Sequence, residues 1–249
     1  MKCAGVAPVI LSGGALRSAP RASAGIAGMG VFLDAGHNGV NDPSLSAQVP
    51  NGRGGTKPCN TMGAAANDGY PEHAFTLDVV RLVADGLNQS GVRTELSRDN
   101  DNSVGPCVDQ RAAMANAMHP DAIVSIHADG GPPSGRGFHV NYSSPPLNDA
   151  QSGPAIQLAH AMRVALVAAG FQPSTYMGSG GLYGRDDLAG LNLAQFPAVR
   201  AFDQSGIVRI LHVAEFHQDG RELRQVQAGQ VVAAIEPAGS HVGLSLIHI

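Results

Sequence analysis

Three residues in this chain have the types and placement for metal chemistry. The apolar run Val31-Phe32-Leu33 leads into Asp34-Ala35-Gly36-His37-Asn38-Gly39, so an imidazole falls where a buried strand ends and the chain turns. Ala122-Ile123-Val124-Ser125-Ile126-His127 repeats the device and is followed by Ala128-Asp129-Gly130-Gly131. Between them, Glu72 in Tyr70-Pro71-Glu72-His73 opens a helical pattern. Two histidines and a carboxylate form the protein half of a catalytic zinc site, with the fourth position given to water. The spacings are 35 residues (72 − 37) and 55 residues (127 − 72), far from the single-helix H-E-x-x-H arrangement, so the fold must bring the three together. Each residue also has an ordinary reading. A single strand-end His is more often a hydrogen-bonded polar residue, and a Glu in a first helical turn is favoured by the macrodipole.

The elements that would position them alternate between strand and helix. Strands are expected over 29–36, 91–98, 122–128 and 137–143, with a last one beginning at Phe196, and helices over 72–89, 108–118 and 155–168. This order predicts a single α/β domain: a mostly parallel, mixed sheet flanked by helices on both faces. Such sheets take their ligands at the carboxyl ends of the strands, where His37 and His127 would stand. Residues 38–70 form a Gly/Asn/Pro-rich loop too long for a passive connection. With the Gly-rich segment 177–184 it is expected to wall a groove. His139 and Tyr142 share a strand at an odd offset, hence on opposite faces, and read as structural residues rather than ligands.

Composition narrows the function. Hydrophobic residues make up 43% of 249, enough for a sizeable core. Charged residues are 14% with a net charge of −4, which leaves no footprint for polyanions. Trp is absent and aromatics are 4%, so nucleic acid is not an expected partner. No apolar run reaches the ~18 residues of a membrane span.

Met1-Lys2, the small and apolar stretch from Ala4 to Leu16, and Ala22-Ser23-Ala24 read as an export signal over 1–24, with a plain Ala/Gly leader as the alternative. Cys3 precedes the apolar stretch and does not read as a lipid-attachment site. In an oxidising compartment the remaining pair, Cys59 and Cys107, is expected to form a disulfide; the alternative is two free thiols.

The blocks Leu33-Asp34-Ala35-Gly36-His37-Asn38-Gly39, Glu72 and Ser125-Ile126-His127-Ala128-Asp129 occur in the order seen in the zinc-dependent N-acetylmuramoyl-L-alanine amidases of the amidase-3 family. Phe138-His139-Val140-Asn141-Tyr142 and the segment from Gly184 to Leu191 also resemble family segments. The resemblance covers about residues 29–199 and is greatest to the compact mycobacterial and actinobacterial members without a separate wall-binding domain. It implies one zinc ion on His37, Glu72 and His127, and hydrolysis of the amide bond between N-acetylmuramic acid and L-alanine in peptidoglycan. The protein would act on muropeptides as a monomer, secreted, periplasmic or in the cell wall. Arg185 would pair with a peptide-stem carboxylate, or else with Asp186 or Asp187.

The chain departs from the family where the general base is due. Members continue with a V-E-x-G type motif whose Glu should fall near position 202, which here is Phe202. From Arg200 onward no resemblance is visible, and Leu244-Ser245-Leu246-Ile247-His248-Ile249 resembles translated adapter sequence. The expected organisation is therefore a leader over 1–24, a catalytic domain over 25–199 and a non-family tail over 200–249, frameshifted, chimeric or divergent. The catalytic base is unassigned. Glu215 is the sole tail carboxylate in a strand-like setting, 13 positions late (215 − 202). Low activity is expected, and two further readings stay open: a non-catalytic, zinc-containing peptidoglycan-binding relative, and a zinc carboxypeptidase on peptide stems.

Overall fold

The structure, a computed structural model, describes residues 26–203. Its strands are β1 (Gly30–Ala35), β2 (Gln48–Pro50), β3 (Thr56–Pro58), β4 (Arg93–Leu96), β5 (Ala122–His127), β6 (Phe138–Ser143), β7 (Leu182–Arg185) and β8 (Ala198–Asp203). The helices are α1 (Glu72–Gln89), α2 (Val108–Met118), α3 (Asp149–Ser152), α4 (Pro154–Ala168) and α5 (Ala189–Asn192).

Six strands form one sheet in the order β4-β1-β5-β8-β6-β7. β4, β1, β5 and β8 run parallel, β6 is antiparallel to β8, and β7 is parallel to β6. The sheet is mixed, as expected. Its parallel half reads as near-continuous apolar runs because both faces are covered.

Alternation along β1 divides the core. Val31, Leu33 and Ala35 pack with Phe75, Val80, Val83 and Leu87 of α1 and with Leu158 and Met162 of α4. Phe32 faces the other way, with Ala115 and Met118 of α2 and Leu191 of α5. The helical boundaries have local causes. Pro71 is extended and places Glu72 in the first turn of α1. The amide of Cys107 donates to the Gln110 side chain at the start of α2, and α2 ends on His119 in the left-handed region. Pro154 opens α4.

The expected helices over 72–89 and 108–118 have the observed bounds, and the third begins one residue early. Two regions differ from the sequence reading. The long loop holds a short 3-10 turn (Pro43–Ser46) and the hairpin β2-β3, elements too short to leave a period. The Gly-rich segment 177–184 runs into the edge strand β7, whose four residues are all half-buried and therefore show no alternation. β8 continues to Asp203, past the end of the resemblance, paired with β5 on one side and β6 on the other. The expected leader over 1–24 and Glu215 lie outside the described residues. Among the described residues no helix is long and apolar enough to cross a membrane.

Candidate metal centre

β1, α1 and β5 converge at the carboxyl ends of the parallel strands and bring His37, Glu72 and His127 together. His37 Nε2 lies 3.1 Å from Glu72 Oε1, His127 Nδ1 lies 2.9 Å from that oxygen, and the two nitrogens are 3.1 Å apart. Glu72 and His127 are buried and His37 is half-buried. Tetrahedral zinc ligands at 2.0–2.1 Å stand about 3.3 Å from one another, so the three atoms already have nearly the separation such an ion requires. Among the described residues this is the one group of His, Cys, Asp and Glu side chains suited to hold a metal ion.

His37 and Glu72 are held in place by further hydrogen bonds. His37 Nδ1 donates to the Thr61 carbonyl at 2.9 Å, which leaves Nε2 as the lone-pair nitrogen facing the centre. Glu72 Oε2 accepts from the Ala64 amide and Oε1 from the Ala128 amide, at 2.8 and 2.9 Å. His37 is in the left-handed region at φ 65°, a conformation costing a non-glycine residue on the order of 1–3 kcal/mol. Two glycines make the close approach possible. A Cβ on Gly36 would come within 2.3 Å of the His127 ring. A Cβ on Gly63, at φ 80°, would lie 2.7 Å from His37 Cδ2 and 2.8 Å from Glu72 Oε2.

The charge states suit cation binding. Burial opposes the Glu72 charge, but the His127 and His37 imidazoles packed against it outweigh that and hold the carboxyl well below the usual range. Burial, with Arg200 and His37 adding to it, pushes His127 down to about 3, so its imidazole is neutral at neutral pH. A carboxylate and a neutral imidazole are the forms that bind zinc.

Beside the centre, Asp129 accepts from the Tyr176 hydroxyl at 3.2 Å and lies 3.9 Å from His139 Nε2; burial raises its pKa. His139 is fully buried, 6.1 Å edge-on to Tyr176, and is not among the three converging ligands. Arg185, at the end of β7, pairs with Asp187 through its Nε and Nη2 and lies 5.3 Å over the Tyr183 ring. β8 runs past the centre in register: Phe202 is paired with His127 on β5 and with His139 on β6. Asp34, Arg111, Ser125 and Arg200 line a cavity of about 30 Å³, too small for anything beyond a water.

Sequence reasoning missed the supporting residues Thr61, Ala64 and Gly63. Nothing in their local pattern marks them, because they act through backbone groups in a loop.

The combination is that of a peptidoglycan amidase fold, and comparison with known proteins bears this out. Residues 31–201 match the profile of the N-acetylmuramoyl-L-alanine amidase family, Amidase_3. The chain is 60% identical over 184 residues to N-acetylmuramoyl-L-alanine amidase Rv3717 of Mycobacterium tuberculosis, covering 74% of this chain and 76% of that protein. Its structure is similar to the N-acetylmuramyl-L-alanine amidase Ami1 from Mycobacterium smegmatis, with a TM-score of 0.78 and 57% identity over 85% of this chain and 96% of the other. Ami1 from Mycobacterium abscessus gives a TM-score of 0.76 and 51% identity, over 84% and 98% of the two chains. The chain therefore belongs to the N-acetylmuramoyl-L-alanine amidase family of enzymes.

Proposed function

We propose that this protein hydrolyses the amide bond between N-acetylmuramic acid and L-alanine in peptidoglycan, with one zinc ion held by His37, Glu72 and His127. The observation that carries the reading is the convergence of His37 Nε2, Glu72 Oε1 and His127 Nδ1 within 3.1 Å of one another, where β1 and β5 end against the start of α1. Bound there, zinc supplies a Lewis acid for the scissile carbonyl and lowers the pKa of water to about 7. The protein's own residues orient the centre. The Thr61 carbonyl fixes the His37 tautomer, and the Ala64 and Ala128 amides hold both oxygens of Glu72. Arg185 is proposed to meet a peptide-stem carboxylate, exchanging its Asp187 partner for substrate.

We propose that turnover in this chain is low. Phe202, paired in register with His127, falls near where the family resemblance puts the general base, and a phenyl group cannot accept a proton. Loss of a general base costs about 10²–10⁴-fold. That favours a second reading, a zinc-containing relative that binds muropeptides without cleaving them. A substrate outside the membrane also fits export through the leader at 1–24 and a disulfide between Cys59 and Cys107.

Incubation with defined muropeptides, with products separated by mass, tests the assignment. Amidase action frees the stem peptide with an L-alanine amino terminus. Release of a carboxy-terminal amino acid would indicate a carboxypeptidase instead. Binding without any product supports the non-catalytic reading.

A further inference from the structure

Beyond the end of β1 the chain leaves the sheet, and its carbonyls lose their ladder partners while still buried. Buried carbonyls must find donors elsewhere. Two buried arginines from different elements supply them. Arg111, on α2, donates through Nη1 to the Ala35 carbonyl and through Nη2 to the His37 carbonyl at 2.8 Å. Arg98, in the loop after β4, donates through Nε to the Ala35 carbonyl at 3.1 Å and through Nη2 to the Gly36 carbonyl at 3.2 Å. The consecutive carbonyls of Ala35, Gly36 and His37 thus all end on guanidinium groups. These carbonyls flank the left-handed φ of His37, a conformation that the surroundings must impose.

The clamp reaches further than one ligand. Arg98 Nη2 also donates to the His73 carbonyl at 2.6 Å, the residue after Glu72 in the first turn of α1. Thr76, one turn on, donates from its hydroxyl to the Gly36 carbonyl at 2.7 Å. One planar cation therefore ties the strand end that carries His37 to the helix turn that carries Glu72. Each guanidinium is anchored behind by a carboxylate: Arg111 by Asp34 at 2.8 Å and Arg98 by Asp101 at 2.9 Å.

We infer that Arg98 and Arg111 are positioning residues that set the geometry of the metal centre by clamping the carbonyls around His37. Neither touches the centre; both act through backbone. The inference rests on the metal-holding reading of His37, Glu72 and His127. A planar fork with fixed donor directions is required, so a lysine that keeps the charge does not replace it.

Arg98→Lys, Arg111→Lys and Thr76→Val variants of the full chain test this, with zinc affinity measured by chelator competition and amide exchange of segment 35–39 measured without metal. Support for an outer sphere that orients ligands is worth about 10–100-fold in metal affinity, so each lysine variant is expected to weaken zinc binding by about that factor. Exchange across 35–39 should quicken while 79–87 and 122–126 keep their protection. Arg111→Lys in a His37→Ala background should change the residual zinc affinity by less than about twofold, because the clamped ligand is gone. Thr76→Val removes one donor, keeps both arginines and should act in the same direction more weakly; it decides the matter if the lysine variants do not fold. Parent-like zinc affinity and parent-like exchange across 35–39 in the folded variants would overturn the proposal. If the parent chain takes up no zinc, the metal reading fails, and quickened exchange across 35–39 alone supports the clamp while unchanged exchange overturns it.

Discussion

β5 and β8 lie side by side in the same sheet, in register over five residue pairs, and end at the same place. β5 delivers His127 into a set of groups that all have partners. β8 delivers Phe202 at the matching position, with its backbone paired to β5 on one side and β6 on the other. Strand formation asks only for a pairing edge and a tolerable side chain, whereas chemistry asks for one side chain in particular. A sheet can thus keep its architecture whatever side chain stands at such a corner.

The sharpest way to break this contrast is at the β5 end. His37→Ala combined with His127→Ala should reduce bound zinc from about one per chain to background, since one carboxylate cannot replace three protein ligands. Elemental analysis checks it, and retention of stoichiometric zinc would remove the centre from these residues.

The complementary change is at the β8 end. Phe202→Glu, or replacement of the residues after Val199 by a family-type V-E-x-G ending, should raise amidase turnover on purified peptidoglycan by about 10²–10⁴-fold. Equal turnover by parent and replacement would show that the corner is not deficient. Loss of that turnover in Glu215→Gln would then identify Glu215 as the substitute base.

A smaller effect concerns the loop between the two ends. Cys59 and Cys107 are bonded in the structure, as the even pair suggested, and are 48 residues apart. Opening that bond in a Cys59→Ser, Cys107→Ser variant should cost on the order of 4 kcal/mol of stability in the chain-entropy picture. Urea unfolding with and without reductant measures it; a parent-like midpoint after full reduction would refute it.

The mildest prediction is a pH dependence. His127 titrates near 3 when folded, with burial as the main cause, against 6.5 for the free side chain, so the unfolded chain takes up its proton first. Its contribution to metal-free stability is complete above about pH 6.5 and declines as pH falls toward 3. Glu72, held low by the imidazoles beside it, adds to the loss below about pH 4.5. Denaturation midpoints between pH 7 and pH 4 should fall, and in His127→Gln the decline should be shallower in the upper part of that range.

How much was legible in the sequence follows from how each feature is encoded. The α/β order and the helices over 72–89 and 108–118 were readable because long apolar periods and Pro71 mark them. The three candidate metal residues were readable because His37 and His127 end apolar runs and Glu72 follows Pro71 at a helix start. The hairpin β2-β3 was not, since three-residue strands carry no period. The edge strand β7 was hidden by its uniform half-burial. Arg98 and Arg111 look like ordinary surface charges in one dimension, and their role appears only once the carbonyls of Ala35, Gly36 and His37 are seen to need donors.

The Cys59–Cys107 bond closes a covalent ring, and the ring divides the centre. Glu72 lies on it, while His37 and His127 lie on the two arms that leave it. A protease that nicks the backbone anywhere between the two cysteines opens the ring without releasing a fragment, so both arms and the carboxylate remain one molecule. A nick between His37 and Cys59, or between Cys107 and His127, severs a histidine arm outright. For a protein placed among wall-degrading enzymes, one part of its exposed chain is protected against loss after cleavage, and the short arms are where a single cut separates ligand from ligand.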